Sequence, residues 1–191
     1  MTARCLTASL LLVTAGVLAE AQSYKNTAPE SFRANGQITG AAGGAASAIE
    51  IKIDRYTSDT DHAALASTLK ASGNDAFVAE LKKAPAIGTV KIGPRSVTVR
   101  WAREERQQGE NRRIALVTDA PLFFAGAGAV DAKPTAGYDI GVLEFTVDSV
   151  GMGKGTMAPA ARVKPGGGSG VVVDDYSGKR VTLVTVSRNL S

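Results

Sequence analysis

Few residues in this sequence could do chemistry, and their spacing limits what that chemistry could be. His62 is the only histidine among 191 residues. An imidazole that serves as a base or a zinc ligand needs partners at a fixed spacing, and no second histidine exists to help it. His62 falls in the first turn of an expected helix, where the helix N-terminus disfavours a charged ring. It therefore reads as an exposed structural residue. Asp54, Asp59 and Asp61 cluster just before it. Closely spaced carboxylates can hold calcium, but the loop glycine and closing glutamate of a calcium hand are missing. Helix capping and dipole compensation account for Asp59 and Asp61.

The remaining motifs read as turns. Gly151-x-Gly153-x-Gly155 is half of a dinucleotide fingerprint, but its flanks are two strands rather than a strand and a helix. Gly178-Lys179 lacks the upstream glycine of a phosphate loop. Ser169 sits in Gly168-Ser169-Gly170 with no nucleophile elbow around it and reads as linker. Among the carboxylates Glu144 stands out. It shares a strand face with Ile140 and Val142, while Asp139 is out of phase with it. Buried, Glu144 would need a raised pKa or an arginine such as Arg100 or Arg162. It could then anchor a ligand in an apolar cavity, with Trp101 and Tyr138 as further candidate ligand-binding residues. On a half-exposed face it would instead form a cross-strand ion pair, and that reading is the stronger. No catalytic residue, metal ligand or cofactor site is expected.

The elements that would position these residues are mostly strands. Ile49, Ile51 and Ile53 alternate with Glu50, Lys52 and Asp54, as on a sheet with one wet face. Val97, Val99 and Trp101 alternate with Thr98 and Arg100, and Ile114–Thr118 is a further strand. The stretch Tyr138–Val147 is apolar on both faces and reads as central, followed by a Gly-rich reversal and a strand to Val163. Gln22–Ser31 reads as a loose N-terminus, Glu104–Arg113 as a charged hairpin loop, and Gly166–Gly170 as a mobile turn. Between strands, Ser58 and Asp61 offer a cap. Leu65 and Leu69, then Phe77 and Leu81, are spaced i, i+4 about Gly73, and Pro85 closes the segment. This predicts a helical hairpin over about 58–84. About nine short strands with that insertion predict a mainly β fold, an antiparallel β-barrel or β-sandwich.

Composition narrows the function classes. The net charge is +4, with lysines and arginines scattered and aromatics few, which excludes a nucleic-acid surface. Residues 1–21 read as a signal peptide: Arg4 precedes an apolar Leu6–Leu18, and Ala19-Glu20-Ala21 is a cleavage site, with cleavage after Ala19 as the alternative. Residues 22–191 then form a single periplasmic or secreted domain with no membrane span. The only cysteine, Cys5, lies in the signal, so the core alone must hold the domain.

The run Leu65-x3-Leu69, Gly73, Phe77-x3-Leu81, Pro85 and Gly88, then Arg113–Asp119 and the Gly151–Gly155 hairpin, resembles a group of small exported bacterial hypothetical proteins. The resemblance covers most of residues 22–191 and implies no activity, cofactor or catalytic residue. Three functions compete. One is a non-catalytic module holding a small apolar or lipid-like ligand in its interior, with the helical hairpin as a lid. A second is an envelope structural or interaction domain that uses Leu122-Phe123-Phe124 as a sticky surface. A carboxylate hydrolase is the weakest, because no acidic pair has the required context.

Overall fold

The computed structural model describes residues 28–38, 46–127 and 135–189. The expected signal peptide and Cys5 lie outside these residues. The chain forms β1 (Glu30–Ile38), β2 (Ala46–Ile53), helix α1 (Asp59–Lys83), β3 (Gly88–Ile92), β4 (Arg95–Arg106), a short 3-10 turn (Gln108–Glu110), β5 (Arg112–Thr118), β6 (Ile140–Val147), β7 (Met152–Pro165), β8 (Val171–Ser177) and β9 (Val181–Asn189). All the pairings are antiparallel. The sheet runs β6-β5-β4-β3-β2-β1-β9-β7-β8, and a further β6–β7 pairing closes it. The result is an eight-stranded barrel, with β8 added along the far half of β7. Barrel replaces sandwich because β7 is long enough to serve three neighbours. Its first half pairs with β6 and β9, and its second half with β6 and β8.

Close packing at β7 explains two glycines. A β-carbon on Gly153 would lie 1.8 Å from Thr146 O, and one on Gly155 would lie 2.2 Å from Glu144 O. Only Gly151, at φ 84°, belongs to the turn itself. The Gly-x-Gly-x-Gly run is thus one turn residue followed by two positions of close strand approach.

Period-two alternation places the core. Phe32, Ile49, Ile51, Val90, Val99, Ile114, Leu116, Leu143, Phe145 and Leu183 belong to one buried cluster inside the barrel. On the outside of β1, β2 and β3, Arg33 and Lys91 flank Glu50 at 4.0 and 3.8 Å. Apolar in and charged out is the reverse of a membrane-spanning barrel. No helix among the described residues is long and apolar enough to cross a membrane.

A second buried cluster lies on the outer wall, where α1 covers β4 to β8. Strand β6 serves both clusters, with Leu143, Phe145 and Val147 inside and Ile140 and Val142 outside beneath the helix. The helix begins as its sequence predicts: Asp61 N–H donates to Ser58 Oγ at 3.1 Å, and the Ser58 hydroxyl donates to Asp61 Oδ2 at 2.8 Å. The expected helical hairpin is one helical element, broken by non-helical backbone at Gly73 (φ 78°, ψ −171°). The break is sharp enough that Asp61, Leu65 and Thr68 line one groove with Glu80, Lys83 and Pro85. Beside the break, buried Asn74 accepts Val163 N–H at 3.0 Å and pins the bend to β7. The element lies along the wall, so it is not a lid over a barrel mouth.

Two further expectations change. Strand β4 extends to Arg106 and β5 starts at Arg112, so half of the predicted charged loop is strand. The alternation of Val97, Val99 and Trp101 is broken by a bulge at Arg100, because Val99 pairs with Thr118 but Trp101 pairs with Val117. The extra residue turns Trp101 outward and Ala102 inward.

Candidate functional site

The barrel interior is the natural place to look for a ligand, since eight strands leave room for side chains or one small molecule. Each end of this interior is occupied by the chain's own groups. At one end the segment after β5 turns inward. Leu122 and Phe124 are buried in the interior cluster, and Leu122 N–H donates to Pro159 O at 2.8 Å. A β-carbon on Gly36 would lie 2.6 Å from the Phe124 ring. Phe123, between them, is partly exposed, with the Arg95 guanidinium 4.1 Å above its ring. The apolar run expected to be a sticky surface is therefore two-thirds internal. Spacing at i, i+2 carried two of its three side chains inward together.

The other end holds an ionic cluster. Glu30 opens β1 and points inward in phase with Phe32 and Ala34; its side chain is 1 % exposed. Arg112 Nη2 meets Glu30 Oε1 at 2.6 Å, and Arg112 Nε donates to Glu104. The Tyr56 hydroxyl donates to Glu30 Oε1 at 2.5 Å, and Arg188 Nε lies 3.1 Å from Glu30 Oε2. Among the described residues these contacts bring together two carboxylates and two guanidiniums. Burial, then the Glu30 charge, pushes the Tyr56 phenol far above its ordinary range. Burial works against the Arg112 charge, but hydrogen bonds to Glu30 and Glu104 outweigh it and raise its pKa. These groups join β1, β4, β5 and β9 at the barrel mouth. Sequence reasoning missed the cluster by treating Gln22–Ser31 as loose and Glu104–Arg113 as loop. The phase of Glu30 with Phe32, and of Arg112 with Ile114 and Leu116, was the signal for it.

None of the three candidate ligand-binding residues reaches the interior. Glu144 lies on the outer wall with its side chain 43 % exposed, and Arg113 Nη2 meets it at 2.8 Å across β5 and β6. The partner is neither Arg100, which binds Asp119 at 2.9 Å, nor Arg162. Trp101 is buried beneath α1, and the half-buried Tyr138 donates to Asp175 Oδ2 at 2.6 Å. The structure thus separates the three. His62 is half-buried rather than exposed, with its ring centroid 5.9 Å from that of Trp101. No group of three or more metal-ligating side chains occurs among the described residues.

The Glu144–Arg113 pair gives a modest expectation. Glu144→Gln should change stability by no more than about 1 kcal/mol, because an ion pair this exposed is offset by solvation. A larger loss in a denaturant melt would mean the carboxylate is more buried than its position shows.

These features define a class: a closed antiparallel barrel with a buried apolar cluster inside it and a helix packed on its outer wall. No family model, curated protein or solved structure matches the chain.

Proposed function

We propose that residues 22–191 act, after export and removal of residues 1–21, as a non-catalytic envelope or interaction domain that works through its outer surface. The observation that carries this reading is the occupation of both barrel ends: Leu122 and Phe124 at one, and Glu30, Arg112 and Glu104 at the other. A ligand entering from either side would have to displace buried side chains, and the ionic end would lose its ion pairs. The resemblance to small exported proteins agrees with the apolar leader Leu6–Leu18.

One observation favours a second reading, a barrel that holds a small apolar ligand. The interior is lined almost wholly by apolar side chains, and Leu122 and Phe124 enter it from a loop rather than a strand. Native mass spectrometry of the protein purified from its own envelope separates the two. The expected result is a polypeptide beginning at Gln22, or at Glu20, without stoichiometric small-molecule adducts. A co-purified apolar molecule at one per chain would establish the second reading instead, and an intact Met1 would remove the export step.

A further inference from the structure

The Gly166–Gly170 turn between β7 and β8 braces itself internally. Gly166 N–H donates to Gly170 O at 3.3 Å and Gly170 N–H to Gly167 O at 3.2 Å. Ser169, 1 % exposed, donates to Val171 O at 3.0 Å. Two of its glycines rest on titratable side chains. A β-carbon at Gly168 would lie 2.6 Å from Glu105 Oε1, and one at Gly170 would lie 2.9 Å from His62 Cε1. The imidazole is therefore held between this turn and the Trp101 ring. Its Nδ1 is shielded from solvent and meets no hydrogen-bond partner among the described residues.

We propose that the Gly166–Gly170 turn is a pH-sensitive cover over Trp101, closed while His62 is neutral and released when the imidazole takes up a proton. A neutral ring tolerates a bare Nδ1, whereas an imidazolium carries an N–H on both nitrogens. A charged donor without an acceptor is costly in a closed space, and lifting the turn admits water to it. The facing charges do not rescue the closed, protonated form. Arg103 on β4 repels it. Asp59 on α1 attracts it but is engaged with Arg103 at 2.8 Å. Glu105 on β4 also attracts it, but shares Arg113 on β5 at 3.4 Å, and Arg113 in turn holds Glu144 on β6 at 2.8 Å. Asp61 is turned to Ser58, and the turn itself carries no charge. Burial first, then Arg103, holds the His62 pKa below its ordinary 6.5. For a base whose closed-state pKa is depressed, closure is fully stable above 6.5 and weakens as pH falls below it.

Trp101 is the only tryptophan, so its fluorescence reports the cover directly. Acrylamide quenching should rise several-fold between about pH 7.5 and about pH 5, the range in which a histidine changes charge, with far-UV circular dichroism constant. His62→Gln should remove that pH dependence. Gly170→Ala, which drives a β-carbon onto the imidazole, should give at neutral pH the quenching that the wild type reaches only in acid. The proposal is overturned by pH-independent quenching in the wild type, by equal pH dependence in His62→Gln, by full protection of Trp101 in Gly170→Ala, or by unfolding that accounts for the rise.

Discussion

Arg112→Ala is expected to cost about 3–5 kcal/mol, the range for removing one partner of a buried ion pair. The reason lies in what is left behind. Glu30 and Glu104 have side chains 1 % and 3 % exposed, and both depend on this guanidinium. Arg188 still lies 3.1 Å from Glu30 Oε2, but Glu30 and Glu104 both lose their contact with Arg112. A domain of this size has only about 5–15 kcal/mol in all, so the variant should melt many degrees lower or fail to accumulate. Glu30→Leu combined with Arg112→Met should recover much of the loss, since the barrel end can be filled without charge. Chemical denaturation of the single and the double variant checks both statements. A loss under about 1 kcal/mol in the single variant would show the mouth to be wet, as for an exposed pair.

That cluster also marks where the sequence stopped being readable. Ile49, Ile51 and Ile53 announce their strand because charged residues separate them, and a clean alternation fixes a face. Ile140–Val147 is legible for the opposite reason: an unbroken apolar run needs cover on both sides, and the second cover is α1. Glu30 and Arg112 are hidden because a charge at an inward position looks like the end of a strand. Only their mutual neutralisation, across 82 residues of chain, makes burial tolerable. Trp101 is hidden by a single extra residue, since one bulge inverts every later side chain and alternation cannot announce it. Barrel closure is another long-range matter. It rests on β7 pairing with both β6 and β9, which no local pattern specifies. Glu144 and Trp101 lie on the outer wall for the same reason, since the phase of β6 and the bulge in β4 turn both away from the interior.

Phe145→Ala should be as damaging as the loss of Arg112, by a different route. Phe145 is 1 % exposed in the middle of β6, pointing into the barrel between Leu143 and Val147. Its ring meets Phe32 edge-on, with centroids 5.0 Å apart and planes at 65°, so it links β6 to β1 across the interior. Behind it, Gly155 leaves no room for the backbone to collapse: a β-carbon there would already lie 2.5 Å from Phe145 Cβ. Truncation therefore leaves a cavity as well as losing apolar burial, and such changes cost about 3–5 kcal/mol. This loss should be the same in mild acid as at neutral pH, because truncation of Phe145 exposes no titrating group. Thr98→Ala supplies the control. Thr98 faces outward on β4 opposite Thr89, and its replacement should change stability by no more than about 0.5 kcal/mol. Parallel melts of the two variants test the strand phases directly. A harmless Phe145→Ala beside a severe Thr98→Ala would place the apolar core on the other face of the wall and open the interior that the proposed function requires to be filled.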